Sequence, residues 1–486
     1  MKQVETAGRR GDSHAPLRLT LEDEREIMEW LKKLFAPVDM TVGRPWEDIL
    51  IFTVPMLIGN IAQQLYNTVD SVVVGKYVGD NALAAVGSAG PILNLLIVLF
   101  IGISVGASIM VSQYFGARNR EDLSRTIGSC IVLTGLASLF VMVVATMLSR
   151  PLLVLLGTPE SILDWCTSYL HILFLGAAGM AYYNILSGVL RGLGDSISAL
   201  VYLIVASVTN IVLDLLFVAQ FKMGVAGVAL ATVIAQAVSA ILCLWKLARM
   251  RDLFDMKWSY MRLSKMHTMN IIKLGVPSGV TQAIMSMAML VVQSLTNSFG
   301  EQFIAANVIV MRVDGFAMLP NFSFGTAMTT YAGQNIGARA HDRVTQGAKQ
   351  GTLMGLGVSA AITAGILLFG RSLMSIFTNT EALVEMSMNM MRILAVGYIA
   401  MAVIQCLSGV MRGAGDTMTP MWISLIMTII IRVPLAYGLV YLTRSAQFPQ
   451  GRKECIFVSL LISWLIGAVM TAVCYKRGKW KEKAVS

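Results

Sequence analysis

Apolar residues in this chain do not alternate with polar ones; they come in long blocks separated by short, mostly basic stretches. A bilayer-crossing helix needs about 20 mostly apolar residues. Twelve blocks qualify: 48–73, 83–113, 124–148, 160–187, 197–220, 224–248, 271–298, 303–331, 348–370, 382–409, 418–442 and 455–475. A membrane barrel would instead show alternating segments of roughly 10 residues, and none is visible. The pattern predicts an all-α integral membrane protein with twelve transmembrane helices. Pro55, Pro91, Pro277, Pro320 and Pro434 fall inside the blocks. Membrane helices tolerate such residues because neighbouring helices re-satisfy the freed backbone groups. Ahead of the first block, Leu21 to Phe35 reads as a short helix capped by Thr20, with Ile27, Trp30, Leu31 and Leu34 on one stripe. Such a helix lies in the cytosol or at the interface, or serves as a regulatory or docking element.

Composition narrows the class. Charged residues make up 14% of the 486-residue chain and mean hydropathy is +0.69, against about 25% charged in an ordinary soluble protein. So little charge cannot coat a water-facing surface, which excludes a soluble enzyme and a disordered chain. The net charge of +10 has no aromatic-and-basic groove pattern beside it, so no nucleic-acid partner is expected. Its distribution explains it: 28 lysines and arginines fall on the side of the termini, 7 on the other, and 3 inside spans. By the positive-inside rule both termini are cytoplasmic. A charged tail precedes the first apolar block and no cleavable signal is evident, so the plasma (inner) membrane is the expected location. Six scattered cysteines and four histidines form no disulfide framework and no metal site.

The chain repeats itself. Gln113-Tyr-Phe-Gly-Ala-Arg118 returns as Gln334-Asn-Ile-Gly-Ala-Arg339, and Leu190-Arg-Gly-Leu-Gly-Asp195 as Met411-Arg-Gly-Ala-Gly-Asp416, both shifted by 221. Leu152 to Glu160 aligns with Leu373 to Glu381 at the same shift. This predicts two pseudo-symmetric six-helix lobes of the same orientation, an arrangement characteristic of transporters. The expected divisions are a cytoplasmic extension (1–46), an N-terminal lobe (47–250), a linker (251–270), a C-terminal lobe (271–476) and a basic tail (477–486). In each Gly-Ala-Arg the glycine is expected to take the left-handed helix-ending conformation, with the arginine at the negative end of the helix dipole. Asp195 and Asp416 are expected to cap the helices that follow.

The order of motifs resembles the multidrug and toxic compound extrusion family of transporters. It rests on Pro55-Met-Leu-Ile-Gly-Asn60, Gln64-Leu-Tyr-Asn-Thr-Val-Asp70, Gly75, Ala82-Leu-Ala-Ala-Val-Gly87, Ser112 to Arg118, Leu190 to Asp195 and Asn210-Ile-Val-Leu-Asp214, over about 45–475. The first 45 residues have no match in the family's pattern. The resemblance implies export of cationic, amphiphilic compounds driven by inward proton or sodium flow.

Charges at membrane depth are costly and functional by default. Six stand out: Asp70, Asp214 and Asp314 against Arg312, Arg392 and Arg432. The i, i+4 spacing sets Asn210 and Asp214 on one helix face. No arginine lies deep in the first six spans, so Asp70 and Asp214 lack an evident cationic partner. A buried carboxylate without one either keeps its proton or takes a cation. The resemblance carries the N-terminal lobe's ion site onto Asp70, Asn210, Asp214 and Thr232, and more loosely onto Asn184. The alternative is that Asn210 and Asp214 form a helix-packing hydrogen-bond network. The seventh span has no acid, and the tenth has Glu381 and Glu385 at its outer end, which departs from members with carboxylates deep in those helices. Arg312, Asp314, Arg392 and Arg432 form a candidate charge network, structural or part of coupling or substrate binding. Methionines number 32, including Met285 and Met289 on one face and the cluster Met386, Met390 and Met391. They suit either an adaptable pocket or plain packing.

The expected protein is therefore a monomeric secondary transporter, with no cofactor beyond a coupling proton or sodium ion. Its partners are membrane lipids and small amphiphilic cations. One rival is a flippase or exporter of a lipid-linked or polysaccharide precursor, held by arginines. The other is a membrane-embedded enzyme or sensor, disfavoured by the lack of a nucleotide-binding or hydrolytic motif.

Overall fold

The computed structural model describes residues 36–484, and the helix expected over Leu21 to Phe35 lies outside them. Among the described residues all regular structure is helical. Seven helices build the first half: α1 (Pro45–Tyr77), α2 (Asp80–Gly116), α3 (Arg120–Leu155), α4 (Glu160–Leu175), α5 (Ala177–Gly192), α6 (Ser196–Asp214) and α7 (Gly224–Arg249). The second half holds α8 (Lys265–Asn297), α9 (Glu301–Gly337), α10 (His341–Ser375), α11 (Glu381–Gly413), α12 (Met418–Leu425), α13 (Val433–Leu442) and α14 (Cys455–Arg477). The pair α4–α5 bends by 52°, and counting it as one span gives twelve. Wide π-helical turns continue α6 over Leu215–Gln220 and join α12 to α13 over Ile426–Arg432.

The repeat is visible in three dimensions. Both α1 and α8 have 33 residues, and both α2 and α9 have 37. The counterpart of the broken pair α4–α5 is the single helix α11. Val233 of α7 fills the space where Gly176 lacks a side chain, since an added Cβ would sit 2.3 Å from it. Gly397, at the equivalent point of α11, is crowded in the same way by Trp464 at 2.4 Å, yet α11 is unbroken. The glycine alone therefore does not set the bend.

Outward faces remain apolar. Leu136, Phe140, Val143 and Met147 of α3 are more than half exposed or close to it at helical spacing, the signature of a lipid-contacting stripe. Inside each half, separate clusters of buried side chains form a core, one around Met110, Leu186 and Leu190 and another around Met391, Tyr398 and Trp464.

The halves meet at the end nearest the chain termini, through a symmetric seam. Gln113 Nε2 donates to the Gly413 carbonyl at 2.9 Å, and its counterpart Gln334 Nε2 donates to the Gly192 carbonyl at 3.2 Å. Backbones nearly touch there: a Cβ on Gly116 would lie 1.8 Å from Gln334 O, and one on Gly337 1.9 Å from Gln113 O. This corrects the expected role of those glycines. The left-handed residues are Arg118 (φ 55°) and Arg339 (φ 57°), while Gly116 and Gly337 are needed for close approach. At the same helix end the Arg118 guanidinium pairs with Asp39.

Residues 38–43 run across the same end. Val38 N donates to Gly194 O at 3.1 Å, and Met40 N to Gln334 Oε1 at 2.9 Å. Arg343 then holds the carbonyls of Met40, Val42 and Gly43.

Asp195 and Asp416 cap as expected. Asp195 accepts from Ser198 N at 2.9 Å, and Asp416 from Thr419 N at 3.2 Å. Asp195 also pairs with Lys246 at 3.4 Å. Losing such a cap costs roughly 1 kcal/mol. Asp195→Ala is thus expected to lower the melting temperature more than Asp416→Ala, because it also breaks the ion pair with Lys246. Detergent-solubilised protein melted by intrinsic fluorescence checks the order.

Candidate functional site

α6 packs between α1 and α7, and this brings four of the five expected site residues together. Asn210 is 1% exposed and Asp214 0%, one turn apart on the buried face of α6, as their spacing requires. The Asn210 amide orientation that satisfies both of its ends has Nδ2 donating to Asp214 Oδ2 at 2.8 Å and Oδ1 accepting from Thr232 N at 3.1 Å. Thr232 turns its hydroxyl to Val228 O of its own helix, 3.0 Å away. Asp70, on α1, reaches in from the other side, its carboxyl within hydrogen-bonding range of Asp214. Asp70 Oδ1 and Asp214 Oδ1 are both buried without a hydrogen-bond partner. Among the described residues no lysine or arginine forms an ion pair with either acid.

Two carboxyls so placed cannot both stay charged without something between them. A proton shared across the pair satisfies the geometry, and so does a small cation bound by the free oxygens. The wide turn over Leu215–Gln220 begins immediately after Asp214. Such turns are frequent at functional sites.

Asn184, the fifth expected residue, sits elsewhere in its hydrogen bonding. Its Nδ2 donates to Met180 O of its own helix α5 at 2.8 Å, and its backbone carbonyl accepts from Ser104 Oγ at 2.7 Å. Two tyrosines not singled out in the sequence join the acid pair instead. Tyr66, one turn before Asp70 on α1, lies near Thr232. Tyr169 of α4 is buried beside Asp70, Asp214 and Tyr66.

The second half has its own buried polar group. Tyr398 of α11 donates its hydroxyl to Asp314 Oδ1 of α9 at 2.9 Å. Arg432 faces Asp314 across the bundle, and its buried Nε has no hydrogen-bond partner. Both line a cavity of about 300 Å³. Met285 and Met289 line it too, along with Met311, Met318, Met401 and Met427. The other two expected members of the charge network are not drawn in: Arg312 is exposed, and exposed Arg392 is directed to Asn389 of its own helix at 3.3 Å.

Two six-span lobes with a buried acid pair in one of them are an arrangement characteristic of membrane transporters. The MatE family profile matches residues 55–216 and again 277–438, once per half. The chain is 30% identical over 450 residues to the probable multidrug resistance protein YoeA of Bacillus subtilis, covering 91% of this chain and 95% of that one. It is 23% identical to the multidrug export protein MepA of Staphylococcus saprophyticus, over 76% of this chain and 82% of that one. Solved structures share the fold: a MATE protein in complex with MaL6 aligns at TM-score 0.85 and 24% identity, over 91% of this chain and 99% of the other. An outward-facing MATE family transporter aligns at TM-score 0.85 and 24% identity, over 92% and 98%. The chain belongs to the MatE family.

Proposed function

We propose that this protein exports small amphiphilic, cationic compounds, driven by a proton or sodium ion that moves inward through the Asp70–Asp214 pair. The observation that carries this reading is the pair itself: two facing acids with free oxygens, ringed by Asn210, Thr232, Tyr66 and Tyr169, and without a basic partner among the described residues. The names of YoeA and MepA support drug export as the direction.

The charge bias of the loops supports cytoplasmic termini, and we read the chain as lying in the plasma (inner) membrane. With that orientation the seam through Gln113 and Gln334 lies on the cytoplasmic side, so this conformation is closed inward. An outside ion binding at the acid pair would alter the packing of α1 against α6 and release substrate outward. Reopening on the inner side then discharges the ion. The protein works as a monomer, its two lobes at 47–250 and 271–476 supplying the moving parts.

The flippase alternative gains no support. YoeA and MepA carry multidrug names, Arg432 is set against the acid Asp314, and Arg392 is turned to its own helix.

Proteoliposomes loaded with a fluorescent organic cation test the reading. Export is expected to accelerate under an imposed proton or sodium gradient of the right sign, and the effective ion identifies the coupling. Flux indifferent to both gradients would refute ion coupling at this site.

A further inference from the structure

Where α3 and α8 begin, side by side at the termini end, a pocket of about 290 Å³ opens between Arg125, Ser259, Tyr260, Arg262 and Ser264. Its walls are preformed. The turn Trp258–Tyr260 presses against α3 at Gly128, where an added Cβ would lie 2.1 Å from Tyr260 O. Ser129 Oγ fixes the rest of the linker, donating to Arg262 O at 3.2 Å and accepting from Ser264 N at 3.3 Å.

The arginines of this region differ in how much of their bonding is used. Arg120 is spent on Asp255 at 2.8 Å and on the carbonyls of Arg251 and Asp252. Its guanidinium in turn holds the Asp255 carboxyl below the usual carboxylate range. Arg125 is different: Glu121 takes one Nη at 2.5 Å, while Nε is buried with no partner. Arg262 is exposed and forms no ion pair among the described residues. Nearby Trp258 is 91% exposed, as suits a residue at the level of lipid headgroups.

Directly below the basic pocket, a second cavity of about 430 Å³ follows the same two helices deeper into the membrane. It is almost wholly apolar, walled by Leu133 and Ala137 of α3 and by Ile272 and Val276 of α8, with Gly102 and Gly279 at its floor. Glycines make the floor shallow, because α2 and α8 cross there with a Cβ on Gly102 only 3.0 Å from Gly275 O. Leu133 lies two turns beyond Arg125 on α3, roughly 12 Å at about 1.5 Å per residue. That span matches the step from a lipid phosphate to its upper acyl chain.

We propose that this paired site binds an anionic phospholipid, its phosphate held by Arg125 and Arg262 and one acyl chain laid in the groove over Gly102 and Gly279. A basic pocket between membrane helices at the cytoplasmic interface is the chemistry that recognises such headgroups. The arginines and α3 belong to the first half and its linker, and Val276 to the second. The bound lipid therefore braces the two lobes on the face where they already touch.

Native mass spectrometry of the full chain, extracted from vesicles with equal phosphatidylglycerol and phosphatidylcholine, tests this without substrate or gradient, so its outcome is independent of the transport reading. Preferential retention of phosphatidylglycerol is expected, falling about tenfold in the double variant Arg125→Gln/Arg262→Gln. Val276→Trp, at an outward-facing position, is expected to reduce retention with both arginines intact. Excess inorganic phosphate should not displace the lipid. Equal retention of the two lipids, or a double variant like the wild type, overturns the proposal. Displacement by phosphate alone would also overturn it, reducing the pocket to a simple anion site.

Discussion

Replacing Asp70 or Asp214 by asparagine is expected to abolish gradient-driven export while leaving the protein folded. The carboxyls lie within hydrogen-bonding range of each other. Two unit charges about 4 Å apart repel by roughly 4 kcal/mol at an effective dielectric constant near 20. An arriving proton or sodium ion relieves that repulsion, so its affinity is raised by up to about a thousandfold. Asparagine keeps the size of the side chain and one acceptor oxygen, puts a donor amide in place of the other, and removes the charge, which removes this gain. Facilitated movement of substrate down its own gradient can survive; dependence on the ion gradient cannot. Proteoliposome flux of each variant, with and without the gradient, decides it. Variants that still export uphill, and whose rate still follows the ion, would eliminate the pair as the coupling site. Loss of coupling in Asp314→Asn alone would move the site to the second lobe.

The second large effect is expected at the seam. Gly337→Ala adds one methyl group, placed 1.9 Å from the backbone carbonyl oxygen of Gln113. No side-chain rotation relieves a clash with backbone, so the lobes must separate there. Overpacking of this kind costs roughly 1–3 kcal/mol, and each 1.4 kcal/mol shifts a two-state balance about tenfold. The inward-closed state becomes the minority, and export is expected to fall by about ten- to a hundredfold. Spin labels at exposed Glu121 and His341, flanking the seam, should report a longer distance in Gly337→Ala than in the parent protein. Equal distances with full transport would show that the contact is incidental. Gly116→Ala, its counterpart at 1.8 Å from Gln334 O, should behave alike.

Much of this fold was legible in the sequence because a bilayer imposes one rule, an apolar run long enough to span it. The twelve blocks and the shift of 221 carried both the span count and the two halves. The acid pair was half legible. Asn210 and Asp214 announce themselves by spacing on one helix, whereas Tyr66 and Tyr169 join the group only through the packing of α1 and α4 against α6 and α7. A tyrosine in an apolar run carries no mark that distinguishes it from ordinary packing. Arg432 was visible as a buried charge, but its choice of Asp314 over the alternatives depends on how helices cross. Gly116 and Gly337 were misread for a related reason: a glycine near a helix end usually concerns its own turn, and here it concerns the backbone of the opposite lobe.

That seam has a further consequence. Gln113 reaches Gly413 while Gln334 reaches Gly192, so each lobe offers the other the same donor and the same acceptor. This is the reciprocity of an isologous contact between two identical chains. Because each half has an even number of spans, two copies of a half-length ancestor would have faced each other in just this way. In an isologous contact of identical chains every substitution would act twice, once on each side of the interface. Within one chain the two sides of such an interface are free to differ, as the acid pair of the first half and the methionine-lined cavity of the second do.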